Sequence, residues 1–111
     1  MRPVVYAHRG GAGLAPENTM AAFDTGLAAG ADGIELDVRL SLDGVAVVIH
    51  DATVDRTTGA SGPVEARTAV ELAGLDAGHH FVRDGTYPFR GRGIGVPSLR
   101  AVLDRHRGTS I

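Results

Sequence analysis

With 111 residues, 43% hydrophobic and 22% charged, the chain carries enough apolar material for one small core, and its composition is that of a soluble globular domain. A formal net charge of -2 argues against nucleic acid or an anionic membrane surface as partner, since those partners select a basic excess. Cysteine is absent, which excludes disulfides, thiolate zinc sites and Cys nucleophiles, fits a cytoplasmic location and leaves oxygen and nitrogen as the available metal ligands.

The first segment, Val4-Val5-Tyr6-Ala7, is a β-type run ending in His8-Arg9-Gly10-Gly11, where glycine allows a sharp turn with backbone close to a ligand. No secretion signal or membrane-spanning run is visible in the sequence. Pro16-Glu17-Asn18-Thr19 has helix-start chemistry, and Met20, Phe23 and Leu27 follow at helical spacing, which predicts a helix over residues 17 to 29 with Gly30 as the stop. From Gly33 to Leu40 the pattern alternates strictly. Ile34, Leu36, Val38 and Leu40 share one face, and Glu35, Asp37 and Arg39 the other, with the two carboxylates about 7 Å apart along the strand.

Asp43-Gly44 is a turn signal, and Val45 to Ile49 is a third β run ending at His50. Two geometries are open. A two-residue hairpin would set Leu42 opposite Val45 and hence Asp37 opposite His50, whereas a parallel return would carry both residues to the carboxyl edge of one sheet. Both bring His50 near Asp37. Residues 52 to 67 read as a long loop with a small ribbon, Ala69 to Ala73 as one or two helical turns, and Leu75 to Pro97, heavily punctuated by Gly and Pro, as an irregular excursion over the domain edge. Ser98 caps a last helix with Leu99, Val102 and Leu103 as its apolar stripe and Gly108 as its end, after which Thr109-Ser110-Ile111 begins another strand.

Two imidazoles, a guanidinium and paired carboxylates therefore follow short apolar runs in the first half. That inventory suits metal-assisted attack on a phosphodiester: a hard cation and Arg9 neutralise the phosphate while His8 and His50 move protons. Spacing alone favours a plainer reading of Glu35, Asp37 and Arg39 as the solvated face of an amphipathic strand. Glu17 and Asn18 read as supporting residues at the helix start, with Asn18 also pinning the His8 loop, and Asp51 as a residue that orients His50 or a loop amide. His79, His80 and His106 lie outside every motif and default to surface or packing roles. The Arg-rich stretch from Arg83 to Arg107, interleaved with Asp and Gly and poor in aromatics, reads as solvated surface.

The series His8-Arg9-Gly10, Ala15-Pro16-Glu17-Asn18-Thr19, Ala22-Phe23, Gly30 to Val38, Asp43-Gly44, Val47 to Asp51, Arg56-Thr57-Thr58-Gly59 and Val96-Pro97-Ser98-Leu99 resembles the glycerophosphodiester phosphodiesterase family along essentially the whole chain. The resemblance implies a (β/α)8 barrel that hydrolyses glycerophosphodiesters to glycerol 3-phosphate and an alcohol with a divalent cation, Mg²⁺ or Ca²⁺. It implies Glu35 and Asp37 as metal ligands, Arg9 as the phosphate grip and His8 with His50 as the acid and base pair, His50 the acid. Such barrels need about 250 residues, so residues 1 to 111 correspond to a partial domain of about three strands plus helices. The family's third carboxylate ligand, a Glu with a nearby Lys on the fourth strand, would fall beyond Ile111. An open sheet edge of this kind implies self-association as a non-catalytic alternative, and a phospholipase D-like activity on lysophospholipids is a further alternative within the enzyme class.

Overall fold

The computed structural model describes residues 2–111 and contains two short sheets, three helices and a long excursion. β1 (Tyr6–His8) pairs in parallel with β2 (Gly33–Glu35), with His8 level with Glu35. The connection between them is α1 (Met20–Ala28), so β1, α1 and β2 form a βαβ unit. Ser110 bridges Gly33 in parallel on the far side of β2, as the Thr109-Ser110-Ile111 pattern predicts. The barrel sheet thus comprises β1, β2 and the beginning of a third strand.

α1 starts later than residue 17. Thr19 is the N-cap, its hydroxyl oxygen accepting from the Ala22 amide at 3.2 Å and its hydroxyl donating to the Pro16 carbonyl at 2.7 Å. Glu17 and Asn18 consequently stand outside the helix, and Asn18 has a left-handed φ of 56°. Their side chains are free to face the site instead of the helix amides.

The alternating run from Gly33 to Leu40 is not one strand. It breaks after Glu35, and β3 (Val38–Leu40) pairs antiparallel with β4 (Ala46–Val48) in a separate sheet. The hairpin geometry is therefore the observed one, but with a register of Val38 to Val48 instead of the register that a two-residue turn gives. Ser41 pairs with Val45 through a 3.0 Å amide to carbonyl bond, leaving Leu42, Asp43 and Gly44 as a three-residue loop with Gly44 at φ 73°. A left-handed third position is what such a loop needs, and glycine adopts it without strain. The one-residue shift sets Ile49, not His50, against Asp37, with the Ile49 amide donating to the Asp37 carbonyl at 3.0 Å. The third β run is thus a hairpin arm and not a barrel strand.

β4 divides two cores. Strand alternation sends Val47 and Ile49 into a cluster with Val54, Val64, Leu72, Ala77 and Val96, and sends Val48 into a cluster with Phe23, Ile34 and Val102. The first cluster belongs to the excursion. The small ribbon and helical turn expected between residues 52 and 73 are present as a bridge between Thr53 and Pro63, a 3-10 turn at Val64–Ala66 and α2 (Ala69–Ala73) with a Thr68–Glu71 capping box, and the aperiodic segment after them acquires order by folding Ala77 and Val96 back onto Leu72. The second cluster belongs to the barrel portion, where α3 (Leu99–Arg105), capped by Ser98, covers β2 and β4 with Val102 and Leu99.

The predicted apolar face of Gly33 to Leu40 is only half covered. Ile34 is buried, but Val38 and Leu40 are exposed, because α3 reaches Ile34 and Leu36 and not the hairpin arm beyond them. Among the described residues no helix is long and apolar enough to cross a membrane.

Candidate active site

The loop after β1 makes the first half of the site. Its turn is tight: the amides of Gly10 and Gly11 donate back to the carbonyls of Ala7 and His8, at 3.0 and 2.9 Å. Gly10 has φ 78°, and a Cβ there would overlap the Phe23 ring, so backbone conformation and packing both require glycine at this point. The turn leaves the His8 side chain in solvent, with its Nε2 3.3 Å from Glu35 Oε2, and folds Arg9 inward.

Arg9 is largely covered, at 21% side-chain exposure, and surrounded by carboxylates. Its Nη1 donates to Glu17 Oε2 at 3.1 Å, its backbone amide donates to Glu35 Oε2 at 3.3 Å, and its Nε lies 3.5 Å from Asp37 Oδ2. The Nε contact is too poorly aligned to be a hydrogen bond, so Nε is buried without a partner. An orphaned guanidinium N–H between anions is a site that gains from one more acceptor. Asn18 fixes the far wall. Its Nδ2 donates to Asp37 Oδ2 at 3.0 Å, its Oδ1 faces the Asp37 amide at 3.4 Å, and its own amide donates to the Arg9 carbonyl at 2.9 Å.

Glu35, at the end of β2, and Asp37, in the break before β3, both lean on Arg9 and so face the same side. Each uses a single oxygen for these contacts, and Glu35 Oε1 and Asp37 Oδ1 accept no hydrogen bond among the described residues. Two free carboxylate oxygens on one side are donors that fit a hard, oxygen-preferring cation such as Mg²⁺ or Ca²⁺. Among the described residues no group of three His, Asp or Glu side chains converges as a metal cage.

The second half of the site comes from the end of β4. His50 follows Ile49, and its backbone carbonyl is held from the neighbouring arm by Arg39 Nε at 2.8 Å. Its Nδ1 is 2.7 Å from Asp51 Oδ1. Arg56 and then His50, through their hydrogen bonds, hold the Asp51 carboxyl well below the usual carboxylate range. An ionised carboxylate only accepts, so His50 Nδ1 carries a proton and Nε2 is the ring position left to exchange one.

Arg56 joins the halves. Its Nε and Nη2 donate to Asp51 Oδ2 and Oδ1 at 2.8 and 3.0 Å, and its Nη1 and Nη2 donate to Glu17 Oε1 and Oε2 at 2.7 and 2.9 Å. Burial pushes the Glu17 carboxyl up, but the hydrogen bonds and charge of Arg56, aided by Arg9, outweigh that and leave it lowered. All eight residues singled out from the sequence thus lie in one connected set of contacts. It runs from His8 through Glu35, Arg9 with Asp37 and Asn18, and Glu17 to Arg56, Asp51 and His50. Arg56 has no role in the sequence reading. Its one signal there is its position in the Arg56-Thr57-Thr58-Gly59 motif, five residues after Asp51.

The three remaining histidines stay outside this set. His79 packs on Gly59 beside Asp76, His80 stacks edge-on to His79, and His106 is buried edge-on to Phe23.

A parallel βαβ unit that continues toward a third strand, with its polar side chains at the carboxyl ends, is the arrangement of the first portion of a (β/α)8 barrel. Solved structures give the same architecture. The crystal structure of a glycerophosphodiester phosphodiesterase from Agrobacterium tumefaciens superposes with a TM-score of 0.86 at 48% identity, covering 98% of this chain and 44% of that one. An Oleispira antarctica phosphodiesterase, solved in complex with the product sn-glycerol-3-phosphate, superposes with a TM-score of 0.78 at 35% identity, covering 92% of this chain and 39% of that one. In sequence, the chain is 56% identical over 81 residues to a glycerophosphodiester phosphodiesterase of Caldanaerobacter subterraneus, 73% of this chain and 33% of that protein. The glycerophosphoryl diester phosphodiesterase family model matches residues 8–111, and the chain belongs to that family. It spans well under half the length of these relatives.

Proposed function

We propose that this chain is the amino-terminal portion of a phosphoric diester hydrolase that cleaves glycerophosphodiesters into glycerol 3-phosphate and an alcohol. The observation that carries this reading is the continuous contact set from His8 to His50, which joins two imidazoles, a guanidinium and two carboxylates with free oxygens. Arg9 binds the non-bridging phosphate oxygens; its Nη2 donates to none of the described residues, and a guanidinium fork matches a phosphate. Glu35 and Asp37 are the residues that would hold a divalent cation, which would supply positive charge to offset that of the phosphate.

His8, exposed at the mouth of the site, accepts the proton of the attacking oxygen. The P–O bond to the leaving alcohol then breaks, and His50, entering the step protonated on both ring nitrogens, donates its Nε2 proton to the departing alkoxide and keeps its Nδ1 proton, which stays hydrogen-bonded to Asp51. Each imidazole ends one proton richer or poorer, and exchange with water restores both.

The test is hydrolysis of glycerophosphocholine by this chain fused, after Ile111, to the remainder of a family barrel. His8→Ala and His50→Ala should each lower turnover by at least about 100-fold. Near-normal rates for either variant would remove that residue from the mechanism. Release of glycerol 3-phosphate together with choline is the expected product pair, and release of phosphocholine would contradict the proposed bond. Activity on lysophospholipids is a second substrate assignment for the same residues, and a substrate panel decides between them.

Association through the open face is the non-catalytic reading. A groove of about 480 Å³ lined by Tyr6, Ile34, Leu36, Val38, Leu99 and Leu103 favours it. Size-exclusion chromatography of the chain, with a concentration series, tests it.

A further inference from the structure

Arg56 belongs to neither of the groups that the hydrolase reading uses, yet its guanidinium touches the partners of both. Nη2 donates to Asp51 Oδ1 and to Glu17 Oε2. Those two oxygens are the ones that engage His50 Nδ1 and Arg9 Nη1. Nε and Nη1 hold the second oxygen of each carboxylate, so four hydrogen bonds tie two carboxylates to one guanidinium.

Exposed ion pairs as a class contribute little. This one differs in three respects. Both contacts are bidentate, Glu17 is 13% exposed, and the two carboxylates come from different parts of the fold, Glu17 ahead of α1 and Asp51 after β4. Lysine could not substitute, since an ammonium is a point charge without a planar fork.

We infer that Arg56 is a positioning residue which sets, through Asp51, the ring orientation and tautomer of His50 and, through Glu17, the direction of the Arg9 guanidinium. This rests on the hydrolase reading for its catalytic meaning, but the positioning itself is measurable without turnover. With Arg56 in place, Asp51 is anchored and His50 is held with its proton on Nδ1. Without it, Asp51 is free to swing to solvent, and His50 loses its fixed ring orientation and relaxes toward the Nε2–H form.

The experiment is a ¹H–¹⁵N spectrum of the imidazole and guanidinium groups of the 111-residue chain, recorded where imidazole is neutral, with backbone amide shifts as the fold control. In the wild type the Nδ1–H form of His50 should dominate. Arg56→Gln should make it the minor form and shift the Arg9 Nε–H resonance, while Arg105→Gln, which breaks the remote pair with Asp24, should change neither. Asp51→Asn should change His50 and leave Arg9 in place, and adding Arg56→Gln to it should change His50 no further, because Arg56 acts only through Asp51. Should Arg56→Gln lose the folded spectrum, Arg56→Lys is read in the same way and should weaken the Nδ1–H preference. An unchanged His50 tautomer in a folded Arg56 variant would overturn the inference, as would a further change in the double variant. Inactivity of the completed barrel alongside the expected tautomer shift would count against the hydrolase reading and not against this one.

Discussion

The two cores on either side of β4 are finished to different degrees. The excursion core is closed: Val47, Val54, Val64, Leu72 and Val96 are all nearly or wholly buried. The barrel core buries Phe23, Ile34, Val48 and Val102 completely, but leaves Val4, Val5, Tyr6, Val38, Leu103 and Ile111 exposed around it. Barrel strands need a neighbour on each side, whereas the excursion closes on the hairpin. The candidate site straddles the two. His8, Arg9, Glu35 and Asp37 come from the barrel portion, His50, Asp51 and Arg56 from the excursion side, and Glu17 meets both.

Core truncations should produce the largest effects and separate the two regions. Phe23→Ala should cost about 3–5 kcal/mol and Leu72→Ala about 2–5 kcal/mol, read from denaturant midpoints. Hydrogen exchange should show the first loosening α1 and β2, and the second loosening residues 52 to 97. Uniform loosening in both variants would break the division into two cores.

Acid should act next, through the junction. The carboxyls of Glu17 and Asp51 are lowered in the folded chain, so their stabilisation is fully present above the ordinary carboxylate range and is lost as pH falls below it. Urea midpoints should therefore hold down to about pH 4.5 and decline below it. Glu17→Gln should flatten that decline; an equal slope in the variant would show that the junction does not couple to stability.

Smaller effects follow at the periphery. Thr68→Ala removes the capping box of α2 and should cost about 1 kcal/mol, visible in exchange of the excursion alone. Leu103→Gln, on the open groove, should change stability by less than about 0.5 kcal/mol while reducing any concentration-dependent association.

The sequence made the barrel portion legible because its signals are local. The His8-Arg9-Gly10 loop, the existence of a helix after Pro16-Glu17-Asn18-Thr19, though not its start, and the strand beginning at Thr109 all rest on neighbouring residues. The departures came where tertiary contacts decide. Period two from Gly33 to Leu40 does not encode the break after Glu35, and Asp43-Gly44 announces a turn without stating whether it holds two residues or three. The excursion had no period to read because its core is assembled from single residues such as Val54, Leu72 and Val96. At the candidate site, the family resemblance and not spacing alone singled out His8, Arg9, Glu35, Asp37 and His50, and the fold brings them into one connected set of contacts. Arg56 was not legible: its importance lies in where Glu17 and Asp51 meet, which is a property of the fold.

The account depends on Glu35 and Asp37 offering their free oxygens to a cation close to both imidazoles. Paramagnetic broadening by Mn²⁺, titrated into the ¹⁵N-labelled chain, tests this directly. The strongest broadening should fall on Glu35 and Asp37, extend to His8, Arg9 and His50, spare His79 and Arg105, and disappear in Glu35→Gln/Asp37→Asn. Broadening centred on another carboxylate, or persisting in that double variant, would contradict it.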